Sequence, residues 1–552
     1  MPGDRYYQGG RSLTTTTPKR ETTRKPRWGT DLAGTTVTSR KGARQSMITP
    51  GINYSQMRDS PACIVREVLF VSAIVATASC LLWWRFLPLP HGDLGSYTEP
   101  AYLLAKFGRL AGPASQYKDL TYQKGIYSYP PGYFIILAGW LRLFGLSPDS
   151  LLGYTHVVHF ASTVLLWALL RIRYACSKIV SALVLLAFFP RMAHGRPDLT
   201  ATLLSLAAWA TLPEEANSKR VVLSGCLAGA ALLVSPGYGV AIVATLMILT
   251  MLNARLEFGK LLRVLTAWLL AAGLLFGITL GGFLTLQHSW TIAYVQFKTN
   301  AAIRGAQLNA MPDLRLLFTW IFSIVPLFFA AIVPALLVII WERKNVSSQV
   351  RKVGLAFLGG TAVWFALNKS QLLLEHHFLF PSKSVFLGVL YSWPKLPAWA
   401  RLPPLLLLCA ISFYFYKADF LYLASPLRQE EQRYAAKVHP EGVVAVDSVY
   451  FATFYRPGRS LDYEVAAIEP SWPRYRDAIP AFARAEMLAG LPDKPLEPTM
   501  LLVSAYTLSR YGEEPRFNLS CTQPALFEER LRVLGRTWNL PAQPFALKVC
   551  GG

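Results

Sequence analysis

The chain has 552 residues, 53% of them hydrophobic and only 16% charged, with a formal net charge of +23. Apolar runs near the ~20 residues that cross a bilayer recur along it, which excludes an ordinary soluble domain and predicts a polytopic, all-α membrane protein. The positive charge sits in the N-terminal tail and in short loops between apolar runs, without aromatics at base-stacking spacing, and so argues for the positive-inside rule and against nucleic acid as a partner.

Residues 1–63 are rich in Thr, Arg, Lys and Gly and include Thr14-Thr15-Thr16-Thr17. That composition buries too little surface to offset ordering entropy, and predicts a disordered, basic cytoplasmic tail. A signal peptide places its apolar core within the first ~15–30 residues; here the first apolar run begins only near Ile64. Contact with anionic headgroups and simple solvation both stay open for the tail.

The first predicted span, Ile64 to Leu87, ends at Trp83, Trp84 and Pro88 and exits to the outer side. A long outer loop, 88–150, carries His91-Gly92-Asp93-Leu94-Gly95-Ser96-Tyr97, then Glu99, then Tyr129-Pro130-Pro131-Gly132-Tyr133. Its segment Pro131 to Gly145 is short for a span and holds Arg142, which predicts an amphipathic or re-entrant interfacial helix. Further spans are predicted at Leu151–Leu170, Ile179–Pro190, Leu199–Leu212, Val221–Val234, the run after Gly239, Val264–Leu286, Leu316–Trp341, Val353–Leu367, Val385–Trp393 and Leu402–Leu423, about eleven crossings in 64–423. Asn368 to Ser384 reads as a polar outer stretch. The alternation places Asp93, Glu99, Asp198, Glu375, His376 and the C-terminus on one outer side.

From Ala424 the charges balance, and Val443–Asp447 and Met500–Ser504 read as buried strands. Residues 424–552 are therefore expected to form a small extracytoplasmic α/β domain. The seven cysteines show no zinc spacing; five lie in or beside apolar runs, and Cys521 and Cys550 are either a disulfide or two free thiols.

The run Gly92 to Tyr97 with Ala101, the Tyr129-Pro130-Pro131-Gly132-Tyr133 stretch, the Leu143-Phe144-Gly145 end, and Arg196-Pro197-Asp198 after the third predicted span resemble the type-C, polyprenyl-phosphate-dependent membrane glycosyltransferases. Within that superfamily they resemble the branch of the protein mannosyltransferases and aminoarabinose transferases. The resemblance covers roughly residues 1–200, and the remainder matches only in hydropathy and in having a C-terminal extracytoplasmic domain.

The resemblance implies a carboxylate base at Asp93, which would take the proton of an acceptor hydroxyl. Glu99, six residues on rather than adjacent as in several relatives, either assists or caps a helix beginning near Ser96; this departure weakens the case for a metal, and a divalent cation is left open. Arg196 is expected on the lipid phosphate, bidentate geometry suiting it to that role, with Asp198 either orienting it or assisting the base; a mutual surface ion pair is the plain alternative. Lys124 and His376 are further candidates for the phosphate. Tyr129 stands where the aminoarabinose branch has a lysine, and either stacks on a sugar or belongs to the interfacial aromatic belt. Adjacent His376 and His377 do not share a helix face, so no metal site is expected there.

These features imply an inverting glycosyltransferase that moves a sugar from a polyprenyl-phosphate donor to an acceptor hydroxyl on a glycan, lipid or protein, in a membrane more in keeping with the bacterial plasma membrane than the endoplasmic reticulum. The competing class is a secondary transporter of a small polar or lipid-linked solute, marked by internal repeats, broken helices and ionisable groups near the midplane.

Overall fold

The structure is a computed structural model and describes residues 61–85, 94–110, 130–188, 197–212, 218–253, 258–291, 293–294, 335–367 and 380–423, with 444–446, 454, 460–462, 499–504, 530–533, 536–539 and 547–550 near the C-terminus. All of them belong to one unit, Arg58–Gly552.

Helices occupy the apolar runs. They are α1 (Pro61–Arg85), α2 (Leu94–Phe107), α3 (Gly132–Phe144), α4 (Pro148–Ala168), α5 (Lys178–Phe188), α6 (Pro197–Thr211), α7 (Ser218–Val234), α8 (Pro236–Asn253), α9 (Phe258–Leu286), α10 (Ser348–Leu367), α11 (Phe380–Tyr391) and α12 (Ala398–Leu423). Local chemistry sets their ends. The Ser147 hydroxyl accepts from the Ser150 N–H at 3.1 Å and Pro148 follows at the first helical position, a pairing that starts α4. Four segments are long and apolar enough to cross a membrane: Ala62–Cys80, Pro148–Arg173, Pro236–Asn253 and Phe258–Leu286. The protein is thus a mostly helical membrane protein. The expectation of about eleven crossings rests in part on helices shorter than a full span, and most of Leu316–Trp341 lies outside the described residues.

Lipid tails are as apolar as leucine, so helices in a membrane are held by close packing and hydrogen bonds. Gly225 and Gly229 on α7 provide the first. A Cβ at Gly225 would fall 2.5 Å from the Trp268 carbonyl oxygen of α9, so only glycine admits this approach. The Ser224 hydroxyl provides the second: it accepts from the Trp268 indole at 3.1 Å and donates to the Ala208 carbonyl of α6 at 2.8 Å.

One end of the bundle is basic. α4 runs on into a single π-helical turn, Leu169–Arg173. From it Arg171 reaches Glu67 of α1 at 2.5 Å and also donates to the Cys176 carbonyl, while Lys178 stands 3.3 Å from the same carboxylate. Arg173 donates to the Trp209 and Leu212 carbonyls at 3.0 and 2.7 Å, satisfying acceptors that the end of α6 leaves open. The Ser177 N–H donates to the Ser392 hydroxyl at 3.1 Å, bringing the end of α11 to the start of α5.

Near the C-terminus a four-stranded sheet has the order β2 (Ser460–Asp462), β1 (Val444–Val446), β3 (Met500–Ser504), β6 (Leu547–Cys550). The β1 pairs with β2 and β3 are parallel, and β6 is antiparallel to β3. Both runs expected as strands are strands, and Val444, Val446, Leu501 and Leu502 are buried. A hairpin of β4 (Arg530–Val533) and β5 (Arg536–Asn539) stands beside them in sequence. Cys550 faces Leu501 in register, and Cys521 lies outside the described residues.

Glu67 and Arg171 have side chains only 11% and 8% exposed, so removing one partner strands a buried charge. Glu67→Gln is expected to cost on the order of 3 kcal/mol, and the double change with Arg171→Met less than Glu67→Gln alone. Thermal unfolding in detergent reads this, and an unaltered Glu67→Gln melt would refute the pairing. Burial pushes the Cys176 thiol up to about 12, against the lowering influence of the Ser392 hydroxyl and the Arg171 guanidinium. The thiolate is the reactive form, so Cys176 should resist maleimide at pH 8 until the protein is denatured; stoichiometric labelling of native protein would contradict this.

Candidate active site

Two of the expected site residues, Glu99 and Asp198, fall within the described residues. Asp93, Lys124, Tyr129, Arg196 and His376 lie outside them.

Glu99 is 1% exposed and is the sixth residue of α2. The helix begins at Leu94 rather than near Ser96, so Glu99 sits past the first turn, where the macrodipole has little hold on it. The capping role is thereby corrected. Pro100 follows it within the helix, and a proline has no N–H to offer the carbonyl four residues back. Two residues earlier on the same helix, Tyr97 packs among aromatic rings. The Tyr97 ring meets the Tyr133 ring edge-on, 5.6 Å between centroids, and lies 6.2 Å from Phe134. The far end of α2 is held by Gln287, just past α9, which donates to the Gly108 carbonyl at 2.8 Å and accepts from the Leu110 N–H at 3.1 Å. Gly108 takes a positive φ of 66°, as a glycine ending a helix does.

Asp198 is the second residue of α6, behind Pro197, where an acid suits the helix dipole. The Ser235 hydroxyl, in the turn between α7 and α8, donates to Asp198 Oδ1 at 2.9 Å. One turn along, Thr202 donates to the Asp198 carbonyl at 2.8 Å. Thr202 has a single proton, so the 2.8 Å contact with the Tyr238 hydroxyl of α8 has tyrosine as its donor.

A set of contacts links the two helices that carry the acids. Tyr133 lies edge-on to Tyr154 of α4 at 6.3 Å, and the Tyr154 hydroxyl is 2.7 Å from Thr200 Oγ1 of α6. Gly132 closes the arrangement: a Cβ there would lie 2.8 Å from the Leu233 backbone at the end of α7, so α3 can begin flush against the turn that holds Ser235. The Pro130-Pro131-Gly132 stretch thus delivers Tyr133 between Tyr97 and Tyr154. The structure brings Glu99 and Asp198 to one end of the bundle, opposite the Glu67–Arg171 pair. Among the described residues no group of three or more His, Cys, Asp or Glu is placed to hold a metal ion.

One residue escaped the sequence reading. Lys383 falls in the stretch expected as outer loop, yet it is the fourth residue of α11 and 2% exposed. Its ammonium lies 5.9 Å from the centroid of the Phe188 ring at the end of α5. The signal was available in part: the apolar run following Ser384 is too short to span, so its helix had to begin earlier.

No family model matches the chain, and no curated protein matches it. Among solved structures it is similar to that of ArnT from Cupriavidus metallidurans, a crystal structure with undecaprenyl phosphate bound. The likeness covers 87% of this chain and 97% of that one, at 14% sequence identity and a TM-score of 0.46.

Proposed function

We propose that the protein is an inverting glycosyltransferase that takes its sugar from a polyprenyl-phosphate carrier. The observation that carries this is the run of contacts from Tyr97 through Tyr133 and Tyr154 to Thr200, which joins the helix bearing Glu99 to the helix bearing Asp198. By sequence Asp93 directly precedes α2 and Arg196 precedes α6 by one residue. The motifs that suggested one outer site therefore belong to helices linked through α3 and α4.

In this reaction Asp93 takes the proton of the acceptor hydroxyl as its oxygen attacks the anomeric carbon. The bond from that carbon to the phosphate oxygen breaks on the opposite face, its electron pair leaves with the lipid phosphate, and the anomeric configuration inverts. Glu99, buried within α2, assists the base. Arg196, with Lys124 and His376, neutralises the departing phosphate, and Asp198 orients Arg196. Tyr129 lines the sugar's approach. The basic end, with Arg171, Arg173 and Lys178, is the cytoplasmic one by the positive-inside rule. Residues 1–63 are then a cytoplasmic tail, 64–423 a transmembrane body of about eleven crossings, and 424–552 an extracytoplasmic α/β domain, in a bacterial plasma membrane. The acceptor is a hydroxyl on a glycan, lipid or protein.

Secondary transport keeps one observation in its favour, the deeply placed Lys383. Solute uptake that survives Asp93→Asn would support it against the transferase.

Mass-spectrometric profiling of glycolipids and glycoproteins after gene deletion provides the test. Deletion is expected to remove a glycan that wild type restores. Asp93→Ala should accumulate normally yet fail to restore it, its rate down by about 10²–10⁴-fold. A complete glycan in the Asp93→Ala strain would remove Asp93 from the chemistry.

A further inference from the structure

Residues 335–341 are helical, and the turn that joins them to α10 stands at the basic end of the bundle. Glu342 fixes it there: its Oε2 lies 3.8 Å from the Lys395 ammonium and accepts from the Asn345 amide at 2.8 Å. Lys395 comes three residues after Ser392, whose hydroxyl is bonded to the start of α5. Glu342 is the one acid in residues 342–352, against four cations, Arg343, Lys344, Arg351 and Lys352. Among the described residues none of the four enters an ion pair.

These cations head apolar rows that face outward. On α10, Arg351, Leu355 and Leu358 share one face at helical spacing, and both leucines are more than half exposed. At 1.5 Å per residue the leucines lie roughly 6 and 10 Å beyond Arg351, away from the basic end. On the other side of the turn Leu337 and Ile340 are exposed and lead to Trp341, which is 87% exposed. Trp399, near the start of α12, is 61% exposed. Exposed indoles mark the boundary between membrane and water, so the four cations stand at headgroup level with leucines below them. The positive-inside rule asks only that a loop be basic. It does not ask that cations head rows of exposed leucine.

We infer that this turn and the first turns of α10 bind an anionic phospholipid from the leaflet at the basic end. Arg351 and Lys352, with Arg343 and Lys344, hold its phosphate, and its acyl chains lie along Leu355 and Leu358. Arginine meets a phosphate bidentately and lysine meets it as a point charge. The bound headgroup offsets the mutual repulsion of four like charges within ten residues. Basic clusters beside spanning helices recognise anionic lipids by this means. The apolar rows favour a lipid over a soluble phosphate, which has no tail to lay along them. The inference stands apart from the transferase reading and needs only a membrane around the bundle.

The test uses full-length protein in detergent, titrated with phosphatidylglycerol, phosphatidylcholine and glycerol 3-phosphate, with binding followed by native mass spectrometry. Wild type is expected to bind phosphatidylglycerol about tenfold or more tightly than phosphatidylcholine, without competition from glycerol 3-phosphate. Arg351→Gln combined with Lys352→Gln should weaken phosphatidylglycerol binding about tenfold or more. The charge-matched pair Lys219→Gln and Arg263→Gln, on α7 and α9 at the same end, should leave it within about twofold. Arg343→Gln combined with Lys344→Gln replaces the α10 pair if the latter fails to accumulate. Equal weakening by the site pair and the control pair would reduce the effect to bulk charge and overturn the site. Undiminished binding by the site variants, or equal binding of the two lipids by wild type, would overturn it as well. Competition by glycerol 3-phosphate at matched concentration would overturn the lipid as occupant.

Discussion

Inside a membrane a hydroxyl has to find its partner within the protein, on its own helix or on another, because no water is there to answer it. The described bundle is organised by that requirement. Ser224 ties α9 to α6, Tyr154 reaches Thr200, Tyr238 reaches Thr202, and Ser235 reaches Asp198. Each bond crosses between helices, and most of them converge on α6. That helix becomes a common support of the bundle, and in its first turn Asp198 accepts a hydrogen bond from Ser235.

The two ends of the bundle use different chemistry for the same purpose. At the basic end, guanidinium groups satisfy the carbonyls that helices leave open: Arg173 does so for α6, and Arg401 does so for Trp393 and Leu396 at 3.0 and 2.6 Å. These charge-assisted contacts hold helix ends in place. At the other end tyrosine, threonine and serine do the joining, and Asp198 is held by the Ser235 hydroxyl. Arg171 and Glu67 anchor the first turns of α1 at the basic end.

Most helix positions were legible because a bilayer demands a near-constant apolar length, and composition alone reveals it. The strands at 444–446 and 500–504 were legible through their short β-branched and apolar runs. Glu99 was legible as a polar residue of interest but its role was not: where α2 begins decides whether an acid caps a helix or sits inside one, and helix starts are weakly encoded. Lys383 was misplaced for a related reason. Counted by hydropathy, a serine-lysine-serine run belongs to a loop; only the packing of α11 against α8 and α5 shows it within the bundle.

The amino-acid sequence by itself determined that this is a helical membrane protein with its positive charge in short loops, and that acids cluster near the ends of its early helices. Those properties follow from transfer energies that each residue carries with it. Tertiary structure decided which acids share an end, how Gly132 lets Tyr133 enter between Tyr97 and Tyr154, and how deep Lys383 lies. These depend on contacts between residues a hundred or more positions apart in some cases, such as Ser382 and Thr245, and no local pattern encodes a distance across the fold.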